Sequence, residues 1–229
     1  MTEAEWLACT DSRLAWEEVS RQVSDRKVRL LICACCRRAW DLLVDNRSRE
    51  AVEVAERYVD GSADRDDLIG VRRRANAAYQ LARKLHGPAA FRLVGASHLA
   101  LQAISVARRV RFDPREDEFL RGAKERKEKI ERKARCDLIR DLVGSPFRPS
   151  PSLPAAVLNW NDRTVRRLAQ AIYDERQMPE GTLDTSRLAV LADALLDAGC
   201  DNEELLAHLR KPGPHVRGCW AIDLILGRE

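Results

Sequence analysis

Cys200, His208, His215 and Cys219 follow one another as C-x7-H-x6-H-x3-C and supply the thiolate and imidazole donors from which a structural zinc site is built. His215 and Cys219 are four residues apart, so on a helix they point from one face, as two ligands of one ion must. The same pair is the one close thiol and base combination on a plausible common face. Asp223, one further turn along, would be the carboxylate that orients the imidazole for thiol catalysis. Against both readings, the order lacks the short C-x2-C knuckle that marks zinc modules. Cys200 behind Gly199 and Cys219 among apolar residues read more simply as small interior hydrophobes. Cys33 and Cys36 form a C-x-x-C inside a helix, away from the N-terminal end whose positive potential lowers a thiol pKa, so they too read as core. No Walker A loop, G-x-G-x-x-G, G-x-S-x-G or H-E-x-x-H occurs, which removes the common nucleotide, dehydrogenase, hydrolase and metalloprotease signatures.

A second chemistry-bearing stretch is RGAKERKEKIERKAR, with eight basic and three acidic residues from Arg121 to Arg135. Arg121, Lys124, Lys127, Lys129, Lys133 and Arg135 are the groups through which it would neutralise phosphates of a nucleic acid. Glu125 with Lys129, Glu128 with Arg132 and Glu131 with Arg135 are spaced for intrahelical ion pairs, and no aromatic interleaves to stack on bases. The spacing therefore favours a solvated or partner-facing helix over a nucleic-acid binder. In the segment SPFRPSPSLP, PFRP fits a P-x-x-P ligand, though Phe147 can equally pin a surface crossing to the core.

Helices must position all of these groups. Asp25 to Val44 reads as the central one: Val28, Leu31, Ile32, Cys35, Ala39, Leu42 and Leu43 recur at helical spacing, Ser24 is placed to cap it, and Arg29, Arg37, Arg38 and Asp41 fall towards the other side. Thr2 and Glu5 form a capping box ahead of Trp6. Further faces run through Ala51, Val52, Ala55, Tyr58 and Val59, then through Leu68, Val71, Ala75, Ala78, Ala82 and Leu85. Leu93, Val94, Ser97, Leu101 and Ile104 make another, and Arg115 to Val143 one long helix. After the prolines, Val165 to Tyr173, Leu188 to Leu195, Leu205 to Leu209 and Cys219 to Leu226 form the last four. No strand period and no repeat survives. The expected fold is all-α: an antiparallel helical bundle over 1–143, a proline-rich loop or linker over 144–162, and a C-terminal helical module over 163–229 packed on the bundle.

Hydrophobic residues make up 45% and charged residues 33% of the 229, the balance of a folded helical protein. From Ser145 onward ten basic and twelve acidic residues leave −2, so the first 144 residues hold +6 of the net +4. The acidic opening MTEAEWLACTD has no apolar run of a signal peptide, and no stretch nears the 18 apolar residues of a membrane span. With seven cysteines, three of them within four residues of one helix, no disulfide framework arises, and reduced thiols in the cytoplasm are expected.

MTEAEWLACTD with SDRKVRLLICACCRR, then SPFRP, LAQAIYDER, LADALLDAGC and HVRGCWAIDLILG, resemble a family of planctomycete-type bacterial proteins over most of the chain. The resemblance implies a helical, cytoplasmic protein and carries over no catalytic residue. Three functions stand in order: a non-enzymatic helical interaction protein with a protein partner or self-association, an electrostatic nucleic-acid binder through 121–135, and a metal- or thiol-dependent enzyme centred on His215 and Cys219. Zinc is the one cofactor the residues suggest.

Overall fold

The computed structural model describes residues 1–86, 98, 100, 102–103, 125–149 and 151–228. Those residues form helices and short turns, as the period-3.6 patterns require; the pairings Gln177 with Thr182 and Thr182 with Val216 are isolated bridges, not strands. The chain divides into two compact units, Met1–Cys136 and Asp137–Glu229. The expected helical face from Leu93 to Ile104, and the helix start at Arg115, lie outside the described residues.

In the first unit α1 (Glu3–Ala8) opens on the expected capping box, with the Thr2 hydroxyl accepting the Glu5 N–H and the Glu5 carboxylate accepting the Thr2 N–H. Then come α2 (Ser12–Val19), α3 (Asp25–Arg38), α4 (Asn46–Val59) and α5 (Arg65–His86). Helix α3 starts where its cap predicts, with the Ser24 hydroxyl accepting the Lys27 N–H. It leaves helical geometry at Ala39 (φ −107°, ψ 21°) rather than continuing to Val44, and a 3-10 turn over Trp40–Leu42 follows.

Helix α3 is buried on every side: each residue from Val28 to Arg37 is inside. Arg29 and Arg37 are therefore not on a solvent face, as their spacing suggested. Arg37 makes a two-pronged ion pair with Glu56 of α4, at 2.8 and 3.1 Å, and its guanidinium lies 4.2 Å from the centre of the Trp40 ring. Arg29 lies over Tyr58 and donates to the Ala103 carbonyl. Periodicity locates one apolar stripe, but the arginine side is covered too, because α4 brings a carboxylate to neutralise it. Helices α4 and α5 pack extensively, and small residues of both are buried: Ala51 and Ala55 of the first, Ala75, Ala78 and Ala82 of the second. Leu85, expected in that seam, is exposed.

Helix α6 (Glu125–Val143) carries the chain from one unit to the next. Its final turns, from Asp137, belong to the second unit, so the division falls ahead of the expected boundary at Val143. Four more helices complete that unit: α7 (Ala155–Asp174), α8 (Thr185–Asp197), α9 (Glu203–Arg210) and α10 (Trp220–Leu226). Helix α7 begins inside the stretch expected to be loop. It is broken at Trp160 to Arg163, where Asn161, Asp162 and Arg163 take φ of 46°, 54° and 62°, and it resumes with the buried Val165. Val165, Ile172, Leu188, Leu191, Leu205 and Ile222 lie in one apolar cluster that joins all four helices. This cluster fixes the helix ends on which the polar centre below is built.

Candidate metal centre

Three segments of the second unit bring four donor side chains to one point. Asp141 comes from the last turn of α6, His208 from the last turn of α9, and His215 with Cys219 from the connection between α9 and α10. One ligand atom from each lies within 4.8 Å of every other. Asp141, His215 and Cys219 are 3%, 2% and 0% exposed, so the group sits inside the protein.

Local geometry explains each placement. Lys211 ends α9, and the Lys-Pro-Gly-Pro turn reverses the chain so that the His215 Nε2 lies 3.0 Å from the Lys211 carbonyl. Gly213 permits the reversal. Its φ is +73°, and a Cβ there would stand 3.3 Å from the His215 nitrogen, closer than an ordinary contact. The backbone beyond is held on both sides: Leu183 N–H donates to the His215 carbonyl at 2.8 Å, and Cys219 N–H to the Val216 carbonyl at 2.9 Å. Cys219 is the N-cap residue of α10 rather than a member of a longer final helix. His215 is in the loop, so the pair converges through this turn and not through a shared helical face.

Asp141 is the hub. Its Oδ2 accepts the Val216 N–H at 2.9 Å, while Oδ1 lies 2.7 Å from His215 Nδ1 and 3.2 Å from His208 Nε2. Burial works against its charge, but the hydrogen bonds from His208 and His215 together with the charge of His215 outweigh it and bring the carboxyl from 3.8 down to about 2. His215 faces acceptors on both ring nitrogens, a carboxylate and a carbonyl. Without a cation these two acceptors favour the doubly protonated ring, and although burial opposes the charge, Asp141 raises its pKa above 6.5. Cys219 Sγ lies 3.2 Å from His208 Nε2, and burial together with the Asp141 charge pushes its thiol well above the usual value.

These contacts bear differently on two chemistries. Thiol catalysis needs a relay, with the thiol on one imidazole nitrogen and the carboxylate on the other. Here Cys219 and Asp141 meet the same nitrogen of His208, and the other nitrogen accepts the Trp220 indole N–H at 3.2 Å. The thiol is also buried and held protonated. A cation instead needs donors that converge. A tetrahedral zinc with bonds of about 2.0 to 2.3 Å sets its ligands about 3.3 Å apart for nitrogen and oxygen, and about 3.5 Å for nitrogen and sulfur. The His208 separations of 3.2 Å to Asp141 and 3.2 Å to Cys219 are close to those edges. The 2.7 Å from His215 to Asp141 is a hydrogen-bond length, so a cation would replace that proton and widen the edge.

Of the four ligands expected from sequence, His208, His215 and Cys219 come together and Cys200 does not; it is packed in the apolar cluster. The base beside Cys219 is His208 rather than His215, and the carboxylate is Asp141 rather than Asp223. Asp141 lies 74 residues before His215 in the chain, beyond the reach of any spacing argument. Locally, Asp141 stands beside the buried Leu138, Ile139 and Leu142, but Asp137 and Arg140 share the same stretch and nothing there singles it out. Among the seven cysteines, none is in a disulfide.

The basic stretch is only partly a surface. Arg121 and Lys124 lie outside the described residues, as does the side chain of Lys127. Lys129 and Lys133 are exposed. Arg135 is 2% exposed, so it does not reach a phosphate, and its expected intrahelical pairing with Glu131 gives way to Glu131 with Arg38. Arg132 lies 3.6 Å from Asp11. These charges hold α6 within the first unit, which weakens the case for a free basic face. Among the described residues, no helix is long and apolar enough to cross a membrane. No protein-family model matches the chain, and neither curated proteins nor solved structures give a match.

Proposed function

We propose that the C-terminal unit is a cation-binding helical module in which Asp141, His208, His215 and Cys219 hold one zinc-class divalent ion, and that the protein acts in the cytoplasm as a non-enzymatic interaction protein. The observation that carries the reading is the convergence of four donor atoms of zinc-ligand type, from three separate segments, within 4.8 Å. Thiolate with imidazole favours zinc over calcium or magnesium, which take oxygen donors. Four protein donors, three of them buried and His208 15% exposed, would fill a tetrahedron with no position left for substrate, which is the pattern of a structural rather than a catalytic ion. His215 supplies further support, because a ligating imidazole usually donates its second N–H to a carbonyl or carboxylate, and its Nε2 already faces the Lys211 carbonyl.

Native mass spectrometry of the untagged protein, purified without chelator, tests this directly. The expected result is the chain plus one zinc, with the added mass lost in His215→Ala, and a thiolate-to-metal absorption band when cobalt is substituted. A folded wild-type protein that has the bare mass and takes up neither metal would sink the reading.

A further inference from the structure

Trp220 N–H donates to His208 Nδ1 at 3.2 Å, and an indole nitrogen only donates. Nδ1 therefore holds a lone pair, and the neutral His208 ring has its proton on Nε2. That is the nitrogen facing Asp141 and Cys219, and the one a cation in the cluster would need. An imidazole bound through Nε2 carries its proton on Nδ1 and gives it to an acceptor. With the ion in place, the Trp220 N–H and a His208 Nδ1–H would face each other as two donors.

We propose that Trp220 is a positioning residue for the cation centre: it locks His208 in the tautomer that cannot ligate, and uptake of the ion requires the ring to exchange Nε2–H for Nδ1–H while the indole N–H turns away. The inference rests on the reading of the cluster as a cation site. The exchange leaves the number of protons on the ring unchanged, since the Nε2 proton leaves to solvent and Nδ1 takes one up. His215 needs no such change, because its Nε2 already points at a carbonyl. Trp220 is half-buried, and its indole lies against Gly144, where a Cβ would stand 3.3 Å from the ring. The His208 side chain is 15% exposed against 1% for His215, which makes it the more accessible of the two rings to water. A single neutral hydrogen bond is worth less than a metal ligand, so Trp220 tunes affinity rather than abolishing it.

The test uses the full chain with nitrogen-15 in its histidine and tryptophan rings. Long-range proton–nitrogen spectra are recorded after chelator treatment and again with zinc. The chelator-treated protein is expected to show His208 as the Nε2–H tautomer, and zinc to convert it to Nδ1–H while shifting the Trp220 indole signal, which Trp220→Phe identifies by its loss. In competition with a chromophoric chelator, Trp220→Phe should bind zinc about two- to tenfold more tightly, the range that one neutral hydrogen bond supports. Trp160→Phe, in the same unit, should bind as wild type. Zinc bound with His208 still in the Nε2–H form, or an unchanged affinity in Trp220→Phe, overturns the role of Trp220 and leaves the cation site standing. No zinc uptake by wild type or variant overturns both.

Discussion

Replacing Asp141 with Asn in chelator-treated protein removes the charge on which His215, His208 and the Val216 amide converge. Two estimates bracket the loss. Lowering the carboxyl from 3.8 to about 2 corresponds to roughly 2 kcal/mol of native-state stabilisation. Stripping a partner from a buried ion pair costs about 3 to 5 kcal/mol when the remaining charge has no escape. His215 has one, since it can shed its proton, so the lower figure applies. The Val216 and Leu183 amides lie on either side of the site, and their hydrogen exchange reads the local loss without assuming that the whole chain unfolds in one step. Exchange there should be about 30-fold faster in the variant, the equivalent of roughly 2 kcal/mol.

The pH profile gives a sharper check. Asp141 has a lowered folded pKa, so its contribution is in place above 3.8 and lost as pH falls through about 2. His215 has a raised folded pKa, so its contribution is complete below 6.5 and lost as pH rises through the elevated folded value. In metal-free wild type, protection at Val216 should therefore be greatest between 3.8 and 6.5 and decline on the alkaline side. The D141N protein should lack that decline. A variant whose Val216 amide exchanges at the wild-type rate near pH 6, where the pair contributes fully, would refute the account of Asp141 as the hub.

In the first unit, Glu56→Gln leaves the Arg37 guanidinium, 2% exposed, without its counter-charge and should lower stability by about 3 to 5 kcal/mol in urea titration. The double change Arg37→Met with Glu56→Met should recover most of that loss, and failure to recover it would mean that the pair does more than neutralise itself. Gly213→Ala forces a side chain onto a φ of +73° and against His215, at a cost of about 1 to 2 kcal/mol from the backbone alone. It should weaken zinc uptake and stability together, measured by metal content and thermal melting, and wild-type behaviour would show that the turn is not what places His215.

Much of the local architecture was legible in the chain. The capping box at Thr2 and Glu5, the Ser24 cap, the small-residue seam of α5 and the four helices after the prolines follow from short-range chemistry, because a cap or an i to i+4 face is decided within one or two turns. Three of the four converging donors, His208, His215 and Cys219, were legible by type alone.

What the sequence left undecided depends on which surfaces meet. Arg37 looks like a solvent residue until α4 brings Glu56 across it, and Arg135 looks like a phosphate contact until its helix packs. Cys200 and Asp141 exchange roles for the same reason. A ligand set is defined by convergence in space, and the reverse turn at Gly213 with the end of α6 selects a carboxylate 74 residues away over a cysteine eight residues from His208. Spacing along the chain specifies local conformation, whereas the distance between side chains on different segments is fixed only when the apolar cluster packs their helices together.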